Sequence, residues 1–411
     1  MNHTELIPNL FKSEYRKIVS VLCKLFGTVH IEIAEDITND TFLLASETWG
    51  LKGIPANPKA WLYLVAKNKT KDYLRRNKLF THKIKEEIRD ASSDFYEPEI
   101  DLSDRNIKDS QLQMIFAICT PLISKETQVG LALRILCGFG IEEISQAFLT
   151  NKETINKRLF RGKEKLRIAN LKIEFPDQES IDERLENVLT TIYLLFNEGY
   201  YSSTQHKILR KELCMEAMRL TALLLENELT NKPNVNALMS LMCFHASRFE
   251  ARVSECGDYL LYAEQDRDKW NSELVLKGEY FLNESATGDR LTKYHLEAAI
   301  AFWHTEEEGE TSEKWENILQ LYNHLLQLEY SPIAALNRTY ALAMANGKQE
   351  AIEEALKINL VGNHLYHSLL AALYEGVDSK KQLAQLQLAI GCAKMENDQK
   401  VILSKIEKIS G

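Results

Sequence analysis

The chain has few of the residues that interrupt regular structure, with 17 glycines and 8 prolines among 411 residues. Patterns that alternate between apolar and polar residues, as a half-buried β-strand requires, are nearly absent. No apolar run is long enough to cross a bilayer, and residues 1–30 carry scattered charges instead of the apolar core of a signal peptide. The sequence therefore predicts an all-α protein of the cytoplasm.

Motifs for catalysis and for metal binding are missing as well. The seven cysteines are scattered and include no CxxC pair, which favours a reducing compartment and argues against a structural zinc site. The sequence has no phosphate-binding loop, no HExxH motif and no recognisable set of a nucleophile and its base. We therefore expect a protein that is not an enzyme and that needs neither a cofactor nor a metal ion.

The charge of the chain is unevenly distributed. Residues 1–172 carry a net charge of +5 and residues 173–411 carry −14, which together give the −9 of the whole chain. A length of 411 residues predicts two or three domains. A weakly basic front suits contact with nucleic acid, and a strongly acidic back disfavours it, so we expect the two parts to have different roles.

The densest positive charge lies in residues 141–168, which predict two short helices joined by a tight turn. Asn151 is a candidate N-cap, after which Ile155, Leu159 and Leu166 recur at helical spacing. This layout is typical of a helix-turn-helix, whose second helix enters the major groove of DNA. The cations on the other side of that helix are Lys152, Lys157, Arg158, Arg161, Lys163, Lys165 and Arg167.

Residues 33–49 predict one helix with two different sides. The side expected to be buried contains Ile33, Ile37, Thr41, Leu44 and Thr48. Another side forms an acidic stripe of Asp36, Asp40, Leu43 and Glu47. Such a stripe can dock a basic partner helix, and a solvated face is the alternative.

Residues 50–78 predict a loop stiffened by two prolines and then a basic helix. Residues 59–78 contain seven cations and one acid. A stiff loop beside a basic helix suits single-stranded or melted DNA, in which a base enters a pocket while phosphates meet lysines. Trp61 and Tyr63 are either core residues or platforms on which bases stack.

The order of these segments resembles the bacterial extracytoplasmic-function sigma factors of RNA polymerase, which belong to the sigma-70 family. The resemblance rests on an AED…D.F helix, a P.NP.AWL helix start, an acidic linker and the helix-turn-helix. It implies that residues 6–78, here called the first block, are sigma region 2. Residues 79–104 would be the linker, and residues 105–172, the second block, would be region 4.

In that family, region 2 binds the β′ clamp helices of the polymerase core and melts the −10 promoter element, while region 4 reads the −35 element and touches the β flap. The resemblance assigns core binding to Glu35, Asp36, Asp40, Phe42, Leu43 and Glu47. It assigns contact with −10 DNA to Asn57, Lys67, Asn68, Lys71, Arg75 and Arg76, with Asn57 in the loop that captures a flipped base. It assigns contact with −35 DNA to Lys152, Glu153, Thr154, Asn156, Lys157, Arg158 and Arg161.

Residues 181–411 predict a long run of amphipathic helices. Segments 331–358 and 365–394 repeat one helix–turn–helix layout at an offset of about 35 residues, which favours a tetratricopeptide-like stack over a generic bundle. Segments 184–203, 264–270, 291–304 and 331–343 resemble a subgroup of these sigma factors that has a long tetratricopeptide-like C-terminal extension. The resemblance implies regulation by that extension, and it leaves open whether the extension inhibits or is required.

One candidate site falls in this extension, at Asn197, Glu198 and Tyr200. These residues are candidates for docking onto the sigma regions or for binding a ligand, and a helix stop at Gly199 is the alternative. A second interpretation of the whole chain remains, namely a stand-alone helix-turn-helix regulator whose C-terminal part senses a peptide or a metabolite.

Overall fold

The described residues of the protein fold into helices in two compact units, Met1–Thr230 and Asn231–Gly411. A computed structural model describes residues 3–85, 100–201, 207–252, 265–306, 312–393 and 396–410. Over these ranges the regular structure is helical and contains no β-strand, so the predicted all-α class is confirmed. None of the described helices is both long and apolar enough to span a membrane.

The first unit contains nine α-helices among its described residues. They are α1 (His3–Phe26), α2 (Ile31–Lys52), α3 (Pro58–Lys85), α4 (Asp104–Ile118), α5 (Lys125–Leu131), α6 (Ile141–Ala147), α7 (Lys152–Ala169), α8 (Ile181–Tyr201) and α9 (Lys207–Leu225). A short 3₁₀ turn lies between α1 and α2, and a π-helical turn, Ala132–Leu136, follows α5. Helix α3 continues past residue 78, where the first block was expected to end. Residues 86–99 of the expected linker lie outside the described residues.

Helix α2 buries part of the side that the helical wheel predicts, and a neighbouring side as well. Ile37 and Thr41 are buried and Ile33 and Thr48 are half-buried, as the wheel predicts. The other buried residues include Ala34, Glu35, Thr38, Phe42, Ala45 and Trp49. Small and β-branched residues recur on this side, and Thr38 donates its hydroxyl to the Ala34 carbonyl at 2.7 Å, which satisfies a buried polar group. Leu44, which was expected inside, is 37% exposed.

The predicted helix-turn-helix is present as α6 and α7. Asn151 caps α7 as expected, because its side chain accepts a hydrogen bond from the Thr154 backbone N–H at 2.7 Å. Ile155, Leu159 and Leu166 are buried on the inner side of α7, as their spacing predicts. The helix ends at Asn170, whose φ of 45° is the left-handed conformation common at helix C-termini.

The first unit continues beyond the first and second blocks. Helices α8 and α9 belong to it, although the extension was expected to start near residue 181 as a separate domain. The alternative of a helix stop at Gly199 is wrong, because α8 runs through this residue to Tyr201.

The second unit contains the predicted repeated helix pairs. Its α-helices are α10 (Pro233–Ser247), α11 (Ser272–Ser285), α12 (Lys293–Thr305), α13 (Ser312–Leu328), α14 (Pro332–Asn346), α15 (Lys348–Ile358), α16 (His364–Tyr374), α17 (Ser379–Cys392) and α18 (Glu396–Ser410). The pairs α14–α15 and α16–α17 match the two similar segments of the sequence. Gly347 and Gly376 lie between the helices of each pair with φ values of 100° and 75°, which explains why glycine occupies both positions.

Helix α11 approaches α10 at a glycine, and this contact can be tested. A Cβ atom at Gly278 would lie 2.6 Å from the nearest atom of the Phe244 ring. We expect Gly278→Ala to lower the free energy of unfolding by about 1–3 kcal/mol, the usual cost of overpacking. The control is Gly391→Ala in α17, where a Cβ would meet nothing within 4 Å, so that the gain in helix propensity should stabilise the protein slightly. Urea denaturation followed by circular dichroism measures both, and equal stability of the two variants would contradict the close packing.

Candidate functional site

The acidic stripe of α2 lies on the surface, as predicted. Asp36, Asp40, Leu43 and Glu47 are all exposed. Leu43 is 59% exposed among these acids, so the stripe combines an apolar contact with negative charge. Lys69 of α3 lies 3.5 Å from the Asp40 carboxylate, and this ion pair between partly exposed groups is weak. The stripe is therefore accessible to a basic partner.

Two further residues assigned to core binding lie inside the protein. Phe42 is buried and packs edge-on against Phe11 of α1, with ring centroids 5.0 Å apart. Glu35 is only 5% exposed, and its carboxylate accepts a hydrogen bond from Arg134 Nε at 2.9 Å. Lys163 of α7 donates to the other oxygen of the same carboxylate. In this conformation Glu35 and Phe42 are therefore not part of the exposed stripe.

The loop before α3 presents Asn57 to solvent. The Asn57 side chain is exposed, and its Oδ1 accepts the Ala60 backbone N–H at 3.0 Å, so it caps the start of α3. Trp61 packs against the buried Trp49 with ring centroids 5.3 Å apart, and the Tyr63 hydroxyl donates to the Glu14 carboxylate at 2.6 Å. These contacts favour core roles for both aromatic residues rather than roles as stacking platforms.

The polar side of α3 continues from this loop. Lys67 is half-buried, and the other predicted contact residues, Asn68, Lys71, Arg75 and Arg76, are exposed. Arg75 makes an ion pair with Asp72 at 2.9 Å, between exposed groups on the same helix. The loop and this face of α3 thus both present exposed polar side chains.

The N-terminal half of α7 is open to solvent. The predicted contact residues Lys152, Glu153, Thr154, Asn156, Lys157 and Arg161 are exposed, and Arg158 is half-buried. The Arg158 guanidinium lies over the Phe148 ring at 5.4 Å, which orients it from the turn between α6 and α7. In the C-terminal half of α7, Lys163 turns instead to Glu35, while Lys165 and Arg167 are exposed.

The first and second blocks are in direct contact in this structure. Besides the pairs at Glu35, the Thr28 hydroxyl donates to the backbone carbonyl of Leu171 at 2.8 Å. Arg134 also donates to the Phe139 carbonyl at 3.2 Å, and its guanidinium lies 5.4 Å from the centroid of the Tyr15 ring. This interface was not predicted from the sequence, since its partners are far apart along the chain.

Helix α9 contacts both blocks. The Lys12 ammonium lies 2.9 Å from the Glu212 carboxylate, and Arg16 pairs with Glu216. Burial alone would lower the pKa of Lys12, but the hydrogen bond and charge of Glu212 outweigh it and raise that pKa. On the same helix, Arg219 donates to the Leu136 backbone carbonyl of the second block at 2.6 Å. A groove of about 410 Å³ lies among α1, residues 137–143 and α9.

Helix α8 packs on the second block. The Thr191 hydroxyl donates to the side chain of the buried Gln128 at 2.7 Å, and Arg184 donates to the Phe116 carbonyl at 3.0 Å. The acidic charge of the extension, together with the spacing of Glu212 and Glu216 four residues apart on α9, was a sequence signal that could have indicated a docking face.

The candidate site in the extension lies near the end of α8. Tyr200 is buried and stacks on Phe196 with ring centroids 5.7 Å apart, while Asn197 and Glu198 are half-buried. Burial raises the pKa of Glu198. Within the described parts of the chain, no group of three or more His, Cys, Asp or Glu side chains could bind a metal ion.

Comparison with known proteins identifies two segments of the chain. Sigma-70 region 2 matches residues 10–80, and a family of unknown function, DUF6596, matches residues 184–286. An uncharacterized protein of Rhizobium meliloti (strain 1021) is 32% identical over 350 residues, covering 84% of this chain and 82% of the relative. No solved structure matches the chain. The chain therefore belongs to the sigma-70 family, as a sigma factor of the extracytoplasmic-function type with a C-terminal extension.

The exposed part of α7 leads to a test of DNA contact. We expect Lys157→Ala to weaken promoter binding evenly across sequences and to flatten its dependence on salt by about one unit, as loss of one phosphate contact should. If Lys157 instead contacts a base, the loss should be about 1–3 kcal/mol at a single base position. The control is Lys165→Ala, which removes the same charge from an exposed residue of α7 outside the predicted contact set. Fluorescence anisotropy over a salt series measures both, and equal binding by the two variants would remove Lys157 from the DNA interface.

Proposed function

We propose that this sigma factor directs RNA polymerase core to a specific set of promoters and that its own C-terminal extension controls its activity. The observation that carries the proposal is the match of region 2 to residues 10–80, together with the exposed acidic stripe of α2 within that match. The protein acts by binding, without a reaction of its own, and works in the cytoplasm, where polymerase and promoter DNA meet.

In this proposal the first block is region 2 and the second block is region 4. The α2 stripe binds the β′ clamp helices, and the loop at Asn57 together with the basic face of α3 meets melted −10 DNA. The N-terminal half of α7 lies in the −35 major groove, and the second block contacts the β flap. Exposure of the polar residues of these surfaces supports the assignment.

We further propose that the extension inhibits. Helix α9 pairs with α1 of the first block and bonds to Leu136 of the second, so it favours an arrangement in which the blocks stay together. A sigma factor must place its two blocks on separate promoter elements. At 3.4 Å per base pair, elements centred at −35 and −10 lie roughly 85 Å apart along the DNA.

Core binding is tested by charge reversal at Asp40. We expect Asp40→Arg to reduce affinity for polymerase core at least about tenfold, because it places a cation in a stripe that binds a basic partner and like charges cost several kcal/mol at an interface. The fold should be unaffected, since Asp40 is exposed. Glu273→Arg makes the same charge change at an exposed residue of α11 and is the control. Surface plasmon resonance with purified core, followed by run-off transcription on genomic promoters, gives the result. Lack of any association of the wild-type chain with core would instead favour the stand-alone regulator.

Inhibition by the extension is tested by exchanging the charges of one ion pair in the full-length chain. Arg16→Glu places two carboxylates, at positions 16 and 216, next to each other where α1 meets α9. We expect this variant to raise run-off transcription about fivefold or more, because one kcal/mol changes a conformational ratio by that factor. Adding Glu216→Arg restores an ion pair of opposite sense between positions 16 and 216. Because Arg219 lies 2.7 Å from Glu216 in the wild type and would then face a like charge, transcription should return only part of the way toward the wild-type level. A fall in transcription that the second substitution reverses would mean that the extension is required rather than inhibitory.

A further inference from the structure

The face of α3 that is proposed to meet promoter DNA has a leucine in its middle. Leu64 is 57% exposed, and it lies one turn before Asn68 and two turns before Lys71 on the same side of the helix. Among the side chains described for α3, those of residues 58–76, no other large apolar side chain is exposed. Leu64 therefore adds an apolar group to a surface that is mainly polar.

Packing of the first block does not account for Leu64. The buried side of α3 contains Leu62, Ala66 and Thr70, each of which is 0% exposed. These residues follow one another at spacings of four, and Leu64 lies two positions out of phase with them, on the opposite side of the helix. Leu64 is thus placed for contact with a partner rather than for packing within the chain.

The cations around Leu64 can bind the DNA backbone, and Leu64 itself cannot. Lys71 and Arg75 are exposed and Lys67 is half-buried on the same side of α3. Lysine and arginine contact phosphates, which position a protein on DNA and carry no sequence information. The side chain of Leu64 has no hydrogen-bond donor or acceptor, so it offers neither a phosphate contact nor a polar contact with a base edge. Its partner on DNA must be apolar.

The base edges of the major groove display one apolar group, the 5-methyl group of thymine. The major groove admits an α-helix, and apolar side chains on such a helix contact that methyl group. Apolar wedges that unstack bases enter instead from the minor groove, which is only about half as wide. A leucine in the middle of a helical face that also carries cations therefore suits contact with a thymine methyl group.

We infer that Leu64 is a specificity-determining residue: its side chain contacts the 5-methyl group of a thymine in the −10 element and makes promoter recognition depend on that thymine. This inference rests on the proposed function, since it requires that this face of α3 meets −10 DNA. The neighbouring cations hold the helix on the phosphates. Leu64 supplies a contact that cytosine and uracil cannot make, because neither base has the methyl group.

The test removes the methyl group from the DNA and the leucine side chain from the protein, separately and together. A promoter identified by run-off transcription is prepared as a series in which each thymine of the −10 element, on either strand, is replaced singly by deoxyuridine. This replacement keeps the base pair and removes only the methyl group. The full chain and its Leu64→Ala variant, each assembled with purified polymerase core, are compared on the series by fluorescence anisotropy.

We expect deoxyuridine at one position to weaken promoter binding by the wild-type complex about fourfold, the usual effect when one methyl group loses an apolar contact. Leu64→Ala should weaken binding to the unsubstituted promoter at least as much, and deoxyuridine at that position should then have no further effect. Leu64→Met keeps an apolar side chain of similar length and should respond as the wild type does. Leu276→Ala, which removes a leucine that is 64% exposed on α11, is the matched control. Circular dichroism verifies that each variant keeps its helical content.

The outcomes separate the two proposals. A wild-type complex that responds to deoxyuridine at no position, or a −10 element without thymine, would overturn the role of Leu64. The same holds for a Leu64→Ala variant that remains as sensitive to deoxyuridine as the wild type, because its loss of affinity would then come from the sugar–phosphate backbone. In each of these cases the proposed function stands. Failure of the wild-type chain and core to bind or transcribe any promoter would contradict the proposed function, and the inference with it.

Discussion

A carboxylate that is buried away from water is stable only when cations pair with it. In this protein the cations that pair with Glu35 come from another part of the chain. Arg134 and Lys163 lie 99 and 128 residues further along, so their pairing with Glu35 brings the two sigma-like blocks together. Glu35 lies on the side of α2 that is buried together with Phe42 and Trp49, and the acidic stripe lies on the side that faces solvent.

Part of the negative charge of the extension forms ion pairs with cations of the first and second blocks. Glu212 and Glu216 of α9 meet Lys12 and Arg16 of the first block, and Glu226 meets Lys108 of the second block at 2.6 Å. The hydrogen bond and charge of Glu226 raise the pKa of Lys108, although exposed pairs of this kind add little stability. Their more important effect is specificity, since a basic front and an acidic helix select each other over like-charged surfaces.

Helix caps and the buried faces of helices were predictable from the sequence, because residues close together in the chain determine them. The N-cap at Asn151 needs only a short polar side chain before an amphipathic segment, and the buried spacing of Ile155 and Leu159 follows from the helical period. The exposed stripe from Asp36 to Glu47 was predicted on the same basis. The repeated helix pairs of the second unit were also predicted, because glycine in each turn marks where one helix ends.

Long-range features were not predictable in this way. A helical wheel places apolar residues inside, so it put Leu44 in the core and left Glu35 outside, whereas the structure does the reverse. Nothing near Glu35 in the sequence identifies the cations that make its burial tolerable. Adjacent residues on a helix are separated by about 100° around its axis, given 3.6 residues per turn. Glu35 and Asp36 can therefore belong to one sequence motif and yet lie in different environments. Glu35 contacts the second block, while Asp36 remains exposed and available to a partner.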